Sequence, residues 1–261
     1  MNLARVFLSG FFLSTGLALA QTGALENAAQ TKLDALLSSP TVKLKLTDDD
    51  KKTLRKIATY PSKVNRFEPD ELFEIISNNV VQILVSDKVE NSIASSSIKV
   101  ISSGSAVAVT SKLLITNCHI FPSKNTIDKY VAVAKKNDQI IPVEFVLVDR
   151  DSDRCVLEAH HKLFQPIIGY RTINSLKVGE RVYSLGYPKN FEKAIAEGLI
   201  SSVKVGRSRK LLLTSTGIAK GSSGGALFDK NGFLIGITTA VISDAPHLAI
   251  VIPVEDYLSD D

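Results

Sequence analysis

Apolar residues recur at two different periods along this chain, and the change between them falls near residue 78. From Gln21 to about Arg66 the period is helical: in LENAAQTKLDALLSS, Leu25, Ala29, Leu33, Leu36 and Leu37 share one face before Pro40. The spacing predicts a second helix from Asp48, with Thr47 as its cap, Asp48 to Asp50 at the positive end of its dipole, and Leu54, Ile57 and Ala58 as its apolar face before Pro61. A third, short helix is predicted around Pro69 to Ile76. After Asn78 and Asn79 the runs VVQILVS, IKVIS, SAVAV, KLLIT, YVAVA and IIPVEFVLV are rich in Val, Ile and Leu and are broken by polar residues and Gly, as strands are. RVYSLGY, GLISSV, KLLLTST, FLIGITTAV and HLAIVIP continue this pattern to the end. An all-β core behind a short helical extension is the expectation.

The first twenty residues differ from both patterns. Arg5 precedes an apolar stretch of about 15 residues ending in Ala18 and Ala20, the layout of an export signal cleaved after Ala20. A membrane anchor would need roughly 20 apolar residues. The expected division is therefore a signal peptide over 1–20, a helical extension over 21–66 and a β domain over 67–261, in a periplasmic or secreted protein.

Composition agrees with a globular exported chain: 44% of the 261 residues are apolar, enough for a large core. The 31 basic and 27 acidic residues leave a formal charge of +4 with no long basic run, which argues against a nucleic-acid partner. The densest positive cluster, KVGRSRK at 204–210, lies between strand-like runs and reads as a solvated loop.

Three segments carry chemistry. AKGSSGGALFDKNGFLIGI at 219–237 is a glycine-rich turn around Ser223. Gly221 permits a backbone in which its N–H and that of Ser223 converge on one point, which is how an oxyanion hole is made. By itself the segment also fits a hairpin without chemistry. LLITNCHI at 113–120 delivers His119 at the end of an apolar strand, a setting that His160, His161 and His247 lack. VLVDRDSDRCVLEA at 146–159 offers Asp149, Asp151 and Asp153. Alternation puts Asp153 on one face with Cys155 and Leu157, at the start of a strand with its carboxylate turned inward; Asp149 and Asp151 read as solvated turn residues. The order His119, Asp153, Ser223 on an exported, strand-rich chain makes coincidence a poor explanation.

With LKVGERVYSLGYP, GLISSV and HLAIVIP, these segments resemble the trypsin-like serine protease superfamily, and within it the bacterial Deg/HtrA-type protease domain, over about residues 78–254. The resemblance implies a chymotrypsin-like double β-barrel with His119 and Asp153 from the first barrel and Ser223 from the second. It implies a serine endopeptidase acting on polypeptides through a His-Asp-Ser triad and an acyl-enzyme, an oxyanion hole from Gly221 and Ser223, and no metal or organic cofactor. Gly217, six positions before the nucleophile, would lie at the base of an uncharged specificity pocket favouring a small or medium apolar side chain. Thr238, Thr239 and Ala240 would supply the strand that pairs with substrate.

The chain also departs from the family. The C-terminal PDZ domains usual in that family are not expected after Val254, and Ser222 stands where digestive relatives place the aspartate that pairs with a new amino terminus. Competence without zymogen cleavage is the expectation. Cys118 and Cys155 flank the proposed His/Asp pair and are read either as a disulfide that staples it or as two buried thiols. The alternative function is a catalytically silent binding or chaperone module on the same fold, and the N-terminal helices are a candidate surface for homo-oligomer formation.

Overall fold

The computed structural model describes residues 44–45, 47–48, 55–57, 67–87, 100–122, 130–136, 139–188, 192–205, 210–219, 221–242 and 245–259. The expected signal peptide and the helix expected over 25–37 lie outside them. The elements in chain order are β1 (Leu44–Lys45), β2 (Arg55–Ile57), α1 (Pro69–Ile76), β3 (Val80–Asp87), β4 (Val100–Ala108), β5 (Leu113–Thr116), β6 (Tyr130–Lys136), β7 (Gln139–Asp149) and β8 (Arg154–Glu158). They continue with β9 (Gly169–Arg171), β10 (Arg181–Gly186), β11 (Ala194–Val205), β12 (Lys210–Thr214), β13 (Ala226–Asp229), β14 (Leu234–Ile242), β15 (Ala245–Pro253) and β16 (Leu258–Ser259).

The strands make a chymotrypsin-like double barrel. The first barrel closes in the order β3-β4-β5-β8-β7-β6. The second runs β13-β10-β11-β12-β15-β14 and closes through β13–β14. Alternation along the first-barrel strands explains how the two meet. Val81, Ile83, Ala106, Ala108, Leu114 and Leu157 point into its core. Their neighbours Val80, Val107, Ile115 and Val156 point the other way and join a cluster with Tyr183, Leu185, Phe228 and Ile237 of the second barrel. A strand set buried on both faces has a second apolar surface to cover, so the two barrels pack against one another.

α1 forms where its sequence calls for it. Pro69 occupies the first turn, Asp70 and Glu71 face the positive end, and the Glu68 N–H donates to the Glu71 carboxylate at 3.1 Å. Leu72 and Ile76, four apart, are fully buried against the inter-barrel cluster. The second expected helix is corrected by the structure. Asp48 is helical, but Arg55–Ile57, within the expected helix, is a strand, β2, paired in parallel with β9 at the edge of the second barrel. The open edge of β9 supplies ladder partners that an isolated short helix lacks, so tertiary pairing overrides the local period.

Cys118 and Cys155 form a disulfide, with their Cα atoms 5.0 Å apart. β5 and β8 are paired in register at Thr116 and Cys155, and this brings the two sulfurs together. The bridge closes a 37-residue separation. A loop of that size is worth about 4 kcal/mol in the chain-entropy model. Replacing both cysteines by alanine should lower unfolding free energy by about 2–4 kcal/mol, read as a fall in the urea midpoint at constant m; an unchanged midpoint would show that the bridge constrains nothing.

Candidate active site

His119 sits on a short 3-10 turn, Cys118–Ile120, that follows β5. The Arg150 guanidinium holds that turn by donating to the carbonyl oxygens of Cys118 at 3.3 Å, Phe121 at 3.4 Å and Pro122 at 2.6 Å. Arg150 belongs to the β7–β8 turn, the same turn that presents Asp153, so the two candidate residues share one support.

Asp153 stands one residue before β8, in the turn, and its φ is +57°. The expectation that it opens the strand and is aimed by alternation is corrected: the left-handed backbone of the turn aims it, a conformation aspartate tolerates better than most side chains. Its N–H donates to the Arg150 carbonyl at 3.1 Å. Asp149, expected as a solvated turn residue, is structural. It accepts from the Ser152 N–H at 3.1 Å and pairs with the fully buried Arg154. Burial would raise the Asp149 carboxyl, but the Ser152 N–H and the Arg154 charge outweigh it and hold it below its ordinary value. Asp151 is exposed.

The Asp153 carboxylate grips His119 at two points. One oxygen lies 2.7 Å from the ring Nδ1 and the other accepts the His119 main-chain N–H at 2.9 Å. A carboxylate only accepts, so Nδ1 carries a proton, and in the neutral form of the ring Nε2 keeps the lone pair. The Thr239 hydroxyl donates to the same carboxylate at 2.6 Å. Thr239 can reach because the β14–β15 register shifts between Thr238 and Ala240, which turns the bulged residue toward the first barrel. Burial pushes the Asp153 carboxyl up, but the His119 ring and its charge, the Thr239 hydroxyl and the His119 N–H together hold it below the ordinary aspartate value.

Ser223 is carried by a turn between β12 and β13. Gly221 and Gly224 hold φ of +92° and +80° there. A side chain on Gly224 would place its Cβ 2.0 Å from the Ser105 carbonyl oxygen, so the approach of the first barrel admits only glycine. The Ser105 N–H donates to the Ser223 carbonyl at 2.8 Å, and the Ser105 hydroxyl donates to the Gly221 carbonyl at 3.0 Å. The Ser223 hydroxyl donates to the Thr239 carbonyl at 3.4 Å and, among the described residues, makes no hydrogen bond to His119.

Gly217 and Thr238 line one cavity of about 290 Å³, walled also by Ser184, Gly186, Ile195 and Ile218. Among the described residues its lining carries no charge. Thr239 and Ala240 stand apart from that lining: Thr239 is turned to Asp153, and Ala240 pairs with Ile250 of β15. The residues that the sequence left unmarked are Ser105, Asn117 and Arg150, whose partners are distant in the chain. Asn117 alone had a visible signal, as a polar residue at the end of the apolar strand that delivers His119.

Comparison with known proteins agrees with this architecture. Residues 102–237 match the family model described as trypsin-like peptidase domain. The anti-sigma-I factor RsgI9 of Acetivibrio thermocellus is 29% identical over 188 residues, which cover 72% of this chain and 25% of that protein. The serine endoprotease DegS of Salmonella typhimurium is 30% identical over 155 residues, covering 57% of this chain and 42% of DegS. The chain thus spans a quarter to under half the length of these curated relatives. The crystal structure of the serine endoprotease from Yersinia pestis superimposes with a TM-score of 0.58 at 23% identity, over 73% of this chain and 64% of that one, a likeness of fold.

The depressed Asp153 carboxyl sets a pH dependence. A carboxyl whose folded value lies below its unfolded value of about 3.9 contributes stability above that pH and loses it as pH falls through the folded value. Wild type should therefore exceed Asp153→Asn in stability at neutral pH, and their urea midpoints should converge as pH falls below the unfolded value of about 3.9. A constant gap through that fall would mean that the charge on Asp153 is not what the network stabilises.

Proposed function

Because this chain belongs to the trypsin-like peptidase domain family, we propose that it is a serine endopeptidase that cleaves polypeptides through His119, Asp153 and Ser223. The observation that carries the reading is the two-point grip of Asp153 on His119, which leaves Nε2 as a base. In the reaction, Nε2 takes the Ser223 proton as Oγ attacks the scissile carbonyl carbon. The oxyanion of the tetrahedral intermediate receives the N–H groups of Gly221 and Ser223. His119 returns the proton to the leaving amine, an acyl-enzyme remains, and a water deprotonated by His119 releases the acid. Asp153 holds the ring and stabilises its charged form.

Gly217 and Thr238 border an uncharged cavity, which suits a small or medium apolar side chain of the substrate. Thr238, Thr239 and Ala240 of β14 are the strand for the substrate backbone. The relatives include proteins named serine endoproteases, and the amino-terminal twenty residues support export to the periplasm or beyond with cleavage after Ala20. Among the described residues no helix is long and apolar enough to cross a membrane. The same reading divides the chain into 1–20, 21–66 and 67–261; because β1 and β2 of the middle segment pair onto the β domain, homo-oligomer contacts would fall to the part of 21–66 outside those strands.

A second reading, a silent binding module on this fold, draws on the Ser223 hydroxyl, which is turned to the Thr239 carbonyl. Under the first reading substrate binding rotates Ser223 to His119, since catalytic hydrogen bonds commonly tighten only in the substrate complex. Labelling with a fluorophosphonate separates the two. Wild type should label, Ser223→Ala and His119→Ala should not, and Asp153→Asn should lose about four orders of magnitude in turnover. Absence of labelling on folded wild type would favour the silent module.

A further inference from the structure

One buried amide touches the surroundings of all three candidate triad residues. Asn117 is fully buried and stands two positions before His119. Its Nδ2 donates to the main-chain carbonyl of Asp153 at 3.1 Å, and its Oδ1 accepts the N–H of Gly224, the residue after Ser223, at 2.7 Å. These partners fix its orientation, because a carbonyl only accepts and a main-chain N–H only donates. Asp153 is in the β7–β8 turn of the first barrel and Gly224 in the serine turn of the second, so the amide bridges the buried interface between barrels. Both partners hold positive φ, +57° and +80°. Asn117 therefore anchors two turns whose backbones are of the uncommon kind.

We propose that Asn117 is a positioning residue for acylation, a two-ended strut that sets the His119–Asp153 pair against Ser223. The inference rests on Ser223 being the nucleophile. Asn117 acts through the backbones of Asp153 and Gly224. The other anchors of each turn do not depend on it: the Gly224 N–H also donates to the Thr238 carbonyl at 2.9 Å, and Arg150 holds the His119 turn independently. Loss of the strut should thus leave the fold standing while the two turns drift relative to one another. A misplacement of about 1 Å between reacting groups can lower turnover by about a hundredfold. The cavity beside Gly217 and Thr238 is held by other bonds, including Thr238 Oγ1 to the Ser222 carbonyl at 2.9 Å, so ground-state binding should hardly move.

The test compares full-length wild type, Asn117→Asp and Asn117→Ser. Asn117→Asp keeps the shape and the acceptor for Gly224 but turns a carboxylate oxygen toward the Asp153 carbonyl; Asn117→Ser falls short of both partners. Active sites are counted by fluorophosphonate titration, and peptidase kinetics are expressed per titrated site. Both variants should fall roughly tenfold to a hundredfold in kcat, with KM within about twofold of wild type. A purely structural role would reduce the number of titratable sites and leave kcat per site unchanged, which would overturn the proposal. So would a rise in KM at unchanged kcat, or failure of both variants to fold by circular dichroism, which would make Asn117 a folding determinant. The wild-type arm reads the premise separately: unlabelled wild type removes the nucleophile and this inference with it.

Discussion

Asp153 is a carboxylate with only 6% of its surface open to water, and a charge in that position is stable only if nearly every lone pair is answered. The answers come from both halves of the molecule. His119 supplies its ring and main-chain N–H from the first barrel, and Thr239 supplies its hydroxyl from the second. Satisfying this one group therefore demands that the barrels dock in a single relative position. The apolar cluster between them supplies the attraction, and the carboxylate supplies the register, because apolar contact alone is nearly indifferent to small slides.

The serine turn is subject to a related constraint. Its conformation requires positive φ at Gly221 and Gly224, and its carbonyl groups are held by Ser105, which reaches Gly221 with its hydroxyl and Ser223 with its main-chain N–H. The Ser105 hydroxyl in turn accepts the Tyr187 N–H at 2.9 Å. The turn is thus clamped from β4, by a Ser105 that is itself held from the end of β10. This leaves the Ser223 side chain as the adjustable part, at present turned to the Thr239 carbonyl.

On the first-barrel side, rigidity is covalent and ionic. The Cys118–Cys155 bridge, the Arg150 clamp on three carbonyls and the Asp149–Arg154 pair all surround the two turns that present His119 and Asp153. Under the proposed mechanism a base and its orienting carboxylate need fixed geometry before substrate arrives, and pre-ordered turns would provide it without reorganisation at the moment of reaction.

Much of this was legible from residues alone. Period-two alternation marked the strands, and Pro69 with the spacing of Leu72 and Ile76 marked α1. The glycine-rich serine turn, the strand-end histidine and the aspartate-bearing turn stood out because local backbone demands leave a residue signature. Other features had no such signature. β2 reads as part of a helix until the open edge of β9 is there to pair with it. Thr239 reads as one more strand residue until a bulge turns it to Asp153. Asp149 reads as solvated until Arg154 is buried beside it. Ser105 and Asn117 have partners more than a hundred positions away along the chain. Local pattern determines which elements can form and where the reactive groups sit. Which hydroxyl, amide or guanidinium meets a buried charge depends on how two closed barrels dock, and that is decided only in three dimensions.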